Sequence, residues 1–134
     1  MISMKVCFLI NNLRLGGAER VCVSLCNHWA KTHQVTLVTT YSVATSIDFE
    51  LDPNISLLHL HETSNGTLNI WQKIKFCRNF FRIEDFDIVV SFLTNVNLIN
   101  IAASLGSNHK VVVSERTNPF SRQYQMSLRI LSYL

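Results

Sequence analysis

The run Val6-Cys7-Phe8-Leu9-Ile10 is apolar without a break and leads through Asn11-Asn12 into Leu13-Arg14-Leu15-Gly16-Gly17-Ala18-Glu19-Arg20-Val21. A strand that is apolar at every position has to be covered on both faces, which is the condition of a central strand in a parallel sheet. The asparagines end the strand, the glycine pair turns the chain tightly, and a helix begins at once. Such a unit aims free backbone N–H groups and the positive end of the helix at the space above the strand, a ready place for phosphate. Arg20 adds to this, because a cation in the first turn opposes the helix dipole and makes better sense beside a bound anion. A plain tight turn, with Glu19 pairing with the dipole, explains the same residues. Both readings stay open, since short glycine motifs are not specific.

Further along, strand and helix alternate. Ala18, Val21, Cys22, Leu25, Cys26 and Trp29 recur at helical spacing, with Lys31 and His33 near the C-terminal end. Strands are expected over 35–40 and, more weakly, 55–60, followed by a helix over 68–82. A fourth strand covers 87–92, a helix 95–105 ends before Gly106, a fifth strand covers 110–114, and a last helix begins near Ser121. Helix-length crossovers between strands predict a Rossmann-like α/β fold, a parallel sheet flanked by helices. Ligands of such sheets bind beyond the carboxyl ends of the strands. The polar tails there are Gly16-Gly17-Arg20, Thr94-Asn95 and Glu115-Arg116-Asn118, and together they outline a site.

Composition narrows the classes. The 134 residues are one domain at most, and 48% hydrophobic with 16% charged residues supports a real core. The net charge of +3 is mild, and the nearest approach to a basic cluster is Lys73, Lys75, Arg78 and Arg82, read as a solvated helix face. Nucleic-acid binding is not indicated. After Lys5 only five apolar residues precede Asn11, too few for a secretory h-region, and no run is long enough to span a bilayer. Cys7, Cys22, Cys26 and Cys77 lack metal or redox spacing and read as core residues, so a reducing cytoplasm is expected. The apolar pattern 127–134 ends without a cap, which reads as a chain cut short.

Several site chemistries fail on the residues. A dinucleotide fold needs G-x-G-x-x-G and an acid after the second strand, where Thr39-Thr40-Tyr41-Ser42 stands instead. No Gly-Lys-Ser/Thr and no G-x-S-x-G occurs. His59 and His61 alternate on one strand face and lack a third metal ligand, so an exposed strand face is expected there.

Strand, Gly16-Gly17-Ala18-Glu19-Arg20-Val21, helix and His33-Gln34-Val35-Thr36-Leu37-Val38-Thr39 together resemble the start of family 4 glycosyltransferases. Asp87-Ile88-Val89-Val90-Ser91-Phe92-Leu93-Thr94-Asn95 and Val112-Val113-Ser114-Glu115-Arg116-Thr117-Asn118-Pro119 resemble that family's fourth and fifth strands, in the right order over essentially the whole chain. The resemblance implies the N-terminal, acceptor-side domain of a GT-B fold over residues 1–134, incomplete at its C-terminus. It implies a retaining hexosyl or N-acetylhexosaminyl transferase that uses a nucleotide-sugar donor, needs no metal or other cofactor, and acts on a glycan or lipid-linked glycan. Gly16, Gly17 and Arg20 would then meet the donor diphosphate, and Asn95, Glu115, Arg116 and Asn118 would line the acceptor side. Many members place a His after the fifth strand; Glu115-Arg116 stand there, so no His role carries over and the catalytic residues stay unassigned. The family's E-x7-E motif belongs to the other domain, so this stretch alone is expected to be inactive. The expected location is cytoplasmic, with peripheral association at the inner membrane face left open. The alternative is a stand-alone Rossmann-like anion-binding module without catalysis.

Overall fold

The computed structural model describes residues 2–41, 48–60 and 68–115. Its elements run β1 (Lys5–Ile10), α1 (Gly17–Trp29), β2 (Gln34–Thr39), β3 (Ser56–His59), α2 (Ile70–Glu84), β4 (Ile88–Phe92), α3 (Thr94–Ala103) and β5 (Lys110–Ser114). The strands pair in parallel in the order β3-β2-β1-β4-β5, a Rossmann-like sheet with β1 at its centre. The expected helix from Ser121 and the pattern 127–134 lie outside the described residues.

The apolar run of β1 is divided residue by residue, because successive strand side chains point to opposite faces. Val6, Phe8 and Ile10 join Cys22, Val23 and Cys26 of α1. Cys7 and Leu9 join Cys77 and Phe81 of α2 and Val96 and Ile99 of α3. Phe8 meets Trp29 edge-on at 5.8 Å between ring centroids and stacks on Phe92 at 6.4 Å. Burying a side chain of this size contributes about 1.5–3 kcal/mol. The four cysteines are free and buried, and burial pushes the thiols of Cys7 and Cys77 up, that of Cys77 to about 12. Cys7 and Cys77 stay protonated, and all four cysteines act as packing groups.

Asn69 starts α2 through a reciprocal capping box with Gln72, both bonds 2.9 Å, which sets the helix two residues later than expected. The basic residues of α2 do not share a face. Lys73 is only 1% exposed, while Lys75, Arg78 and Arg82 are exposed. Lys73 stands one turn before buried Cys77, on the side of the helix that packs on the sheet, and the other three rotate outward.

His59 is likewise not on an exposed face. It is 5% exposed and shares a 2.5 Å hydrogen bond between its Nδ1 and Thr39 Oγ1, its partner across the β2–β3 ladder. Phe49, Leu51 and Ile55 pack onto the core beside Leu57 and cover this end of the sheet. His61 lies outside the described residues.

A buried polar chain locks α3 to the sheet. Ser91 Oγ donates to Asn97 Oδ1 (2.8 Å), and Asn100 Nδ2 donates to Ser91 Oγ (3.0 Å). Ser104 Oγ donates to Asn100 Oδ1 (3.1 Å), and His109 Nε2 lies 2.7 Å from Ser104 Oγ. Each buried polar side chain here has a partner, which removes the desolvation penalty of an unmade bond.

Candidate functional site at the carboxyl edge of the sheet

β2 and β3 extend the sheet on one side of β1, β4 and β5 on the other, so the strand order reverses between β1 and β4. The crevice above that point is where open parallel sheets hold ligands. The loops that follow β1 and β4 flank it.

After β1 the chain is pinned by hydrogen bonds. Arg14 N–H donates to Asn12 Oδ1, Leu15 N–H to Asp48 Oδ2, and Asp48 N–H to Leu13 O, each at 3.0 Å. Asp48 is 33 residues from Leu15 in sequence, and no local pattern marks it.

The glycines do not serve the turn as expected. Gly16 caps α1 with φ −170° and ψ 165°, extended backbone open to any residue, and neither Gly16 nor Gly17 has a positive φ. What Gly16 provides is space. A Cβ there would lie 2.1 Å from Glu19 Oε2, so the Glu19 carboxylate occupies the place a side chain would fill, while Gly17 faces open space. The positive helix end thus already holds a carboxylate close to it. Arg20 is exposed, and among the described residues its guanidinium makes no ion pair.

After β4 the backbone is strained. Leu93, the cap of α3, has φ 78° and ψ 147°, a region that only glycine occupies readily. Such a residue costs about 1–3 kcal/mol and persists where its surroundings hold it. Here Leu93 N–H donates to Ser114 O at 3.1 Å, and Asn97 Nδ2 donates to the same oxygen at 3.2 Å. Thr94 Oγ1 then donates to Glu115 Oε2 at 2.7 Å, tying the start of α3 to the tail of β5. Asn95 is half-buried in the first turn of α3.

Gly16, Gly17, Arg20, Asn95 and Glu115 therefore stand in the loops and first helical turns at one sheet edge. Arg116 and Asn118 lie outside the described residues. The residues that sequence reasoning passed over are Asp48, Leu93 and Lys73. A groove of about 1120 Å³ lies at the opposite, amino edge, lined by Lys75, Arg78 and Arg82 of α2 and by His109 and Lys110. It is away from the switch point, and the conserved geometry of parallel sheets favours the carboxyl edge for ligand chemistry. Among the described residues no three His, Cys, Asp or Glu side chains gather as metal ligands, and no helix is long and apolar enough to cross a membrane.

No family model matches the chain. A comparison with curated proteins does find a relative. Over 120 residues the chain is 29% identical to a glycosyltransferase. It is the GalNAc-alpha-(1->4)-GalNAc-alpha-(1->3)-diNAcBac-PP-undecaprenol alpha-1,4-N-acetyl-D-galactosaminyltransferase of Campylobacter jejuni subsp. jejuni serotype O:2. The match covers 86% of this chain and 33% of the relative, so the chain spans about a third of that protein's length. A glycosyltransferase relationship is thereby supported.

Proposed function

We propose that the chain is the N-terminal, acceptor-side domain of a family 4, GT-B glycosyltransferase that transfers a sugar, with retention, from a nucleotide-sugar to a glycan or lipid-linked glycan. The observation that carries this reading is the 29% identity to a glycosyltransferase over 120 residues. The paired loops at the strand-order reversal agree with it. The relative's name places its acceptor on a diphosphate lipid, so in this reading donor and acceptor both bring a diphosphate.

The chemistry asked of this half is electrostatic. Negative charge grows on the diphosphate as the sugar–oxygen bond breaks. Backbone N–H groups at Gly16 and Gly17 and the Arg20 guanidinium stabilise it more in the transition state than in the ground state. Binding there displaces the Glu19 carboxylate from the helix end. Glu115, tied to Thr94, and Asn95 hold the acceptor side, with Arg116 and Asn118 following in the chain. The reaction in this reading needs no metal, and the enzyme works in the cytoplasm, at the inner face of the membrane when its acceptor is a lipid.

The test is transfer by the full-length protein. Offered nucleotide-sugars and an undecaprenyl-diphosphate glycan in the presence of EDTA, it should extend the glycan. Residues 1–134 alone should not. Donor hydrolysis without transfer, or no turnover with any donor, would count against the reading.

A further inference from the structure

Lys73 ends the first turn of α2 with 1% of its surface exposed. Among the described residues its ammonium makes no ion pair and donates no hydrogen bond. What it meets is the face of Tyr41, with Nζ 3.0 Å from the ring centroid. A ring face replaces only part of the hydration that a lysine ammonium loses on burial, and its N–H donors meet no hydrogen-bond acceptor among the described residues. The helix end is the wrong one as well, because the positive end of a helix disfavours a cation. Burial pulls the amine down to about 8. Among the described residues the ionisable neighbours are Cys77, one turn along α2 and held as a thiol, and the Tyr41 phenol; neither is a carboxylate.

The pair stands where a ligand can use it. Tyr41 follows β2, and its N–H donates to Asn11 O at 2.9 Å, directly past the end of β1. Lys73 is thus at the carboxyl edge of the sheet, on the face covered by α2, opposite the face on which α1 and the glycine loop pack. Tyr41 is 46% exposed and forms the outer wall over the amine. Rotation of the Tyr41 side chain would uncover the amine while the Tyr41 backbone stays held by Asn11.

We propose that Lys73 and Tyr41 form a second anion site, in which a phosphoryl group displaces the Tyr41 ring and becomes the counter-charge of the Lys73 ammonium. A phosphoryl group fits because it presents several acceptor oxygens to the three N–H donors of a lysine, which binds phosphate as a point charge. Its assignment to a substrate diphosphate rests on the glycosyltransferase reading.

The experiment is calorimetric titration of the full-length protein with inorganic pyrophosphate, alongside thermal unfolding without ligand. Lys73→Met should weaken pyrophosphate binding at least tenfold and raise the thermal midpoint, since it removes a cation whose burial the Tyr41 ring only partly offsets. Tyr41→Ala should tighten binding severalfold by removing the cover. A wild-type affinity in Lys73→Met, or a midpoint that falls, would overturn the proposal, because a structural lysine loses stability when removed. Arg20→Ala separates the two readings. If it weakens binding while Lys73→Met does not, the glycine-loop reading stands and this one fails; the reverse result supports this site alone. Competition by UDP assigns the anion to the donor, and competition by farnesyl diphosphate assigns it to a lipid acceptor. Either result supports the site.

Discussion

The Glu19 carboxylate lies over Gly16, with Oε2 2.1 Å from where a Cβ would be. The clash is with the far end of a flexible side chain, and the Gly16 backbone suits alanine. Gly16→Ala should therefore leave folding intact or raise stability by up to about 1 kcal/mol. On the proposed glycosyltransferase reading the added methyl stands where a phosphate approaches the backbone, so kcat/KM of the full-length protein should fall at least tenfold. Steady-state kinetics beside a thermal melt checks both. Unchanged activity would mean that no phosphate comes close to Gly16.

Arg20→Ala should cost activity far more than stability. The side chain is exposed, makes no ion pair among the described residues, and sits where the helix dipole opposes it. A lost transition-state contact of this kind costs about 2–4 kcal/mol, on the order of a hundredfold in kcat/KM. If activity stays within about threefold while the midpoint drops, Arg20 serves the fold alone.

Leu93 offers a test of backbone strain. Leu93→Gly relieves the φ 78° penalty and loses a half-buried side chain packed on the α1-side core. These opposing terms, each of order 1–3 kcal/mol, should nearly cancel. Leu93→Ala loses the side chain and keeps the strain, so it should be less stable than the glycine variant by about 1 kcal/mol or more. Urea titrations of the two variants decide it, and the reverse order would show that the strain is negligible.

His109 should give the protein a stability loss on mild acidification. Burial beside Phe81 and Ser104 lowers its pKa from the ordinary 6.5. The fold thus prefers the neutral ring, and the unfolded chain takes up the proton first. The stability from this group is complete above about pH 6.5 and declines as pH falls through that value, levelling off below the folded pKa. Thermal midpoints from pH 7.5 to 5 should fall more steeply for the wild type than for His109→Gln. Parallel slopes would remove His109 as the cause.

Local patterns made much of the fold readable. The unbroken apolar run of β1, the helical stripe Ala18 to Trp29 and the largely β-branched Val35-Thr36-Leu37-Val38 each announce an element whose neighbours merely complete it. The placement of Gly16, Asn95 and Glu115 at one sheet edge was readable for the same reason, since strand direction alone puts them at one end. The role of the glycines was not. The need at Gly16 follows from the Glu19 side chain and not from φ, which no spacing rule encodes.

What the sequence determined by itself was the alternation of strand and helix, the parallel sheet and the edge at which polar loops collect, because hydrophobic period and chain direction are local properties. Tertiary structure alone decided which side of β1 received β4, and so where the crevice opens. It also brought Asp48 to Leu15, buried His59 against Thr39, strained Leu93 beneath Ser114, and enclosed Lys73 under Tyr41. Each of these depends on residues distant in the chain meeting across a packed sheet. A lysine on a helix carries no local mark of whether the core or the solvent will surround it.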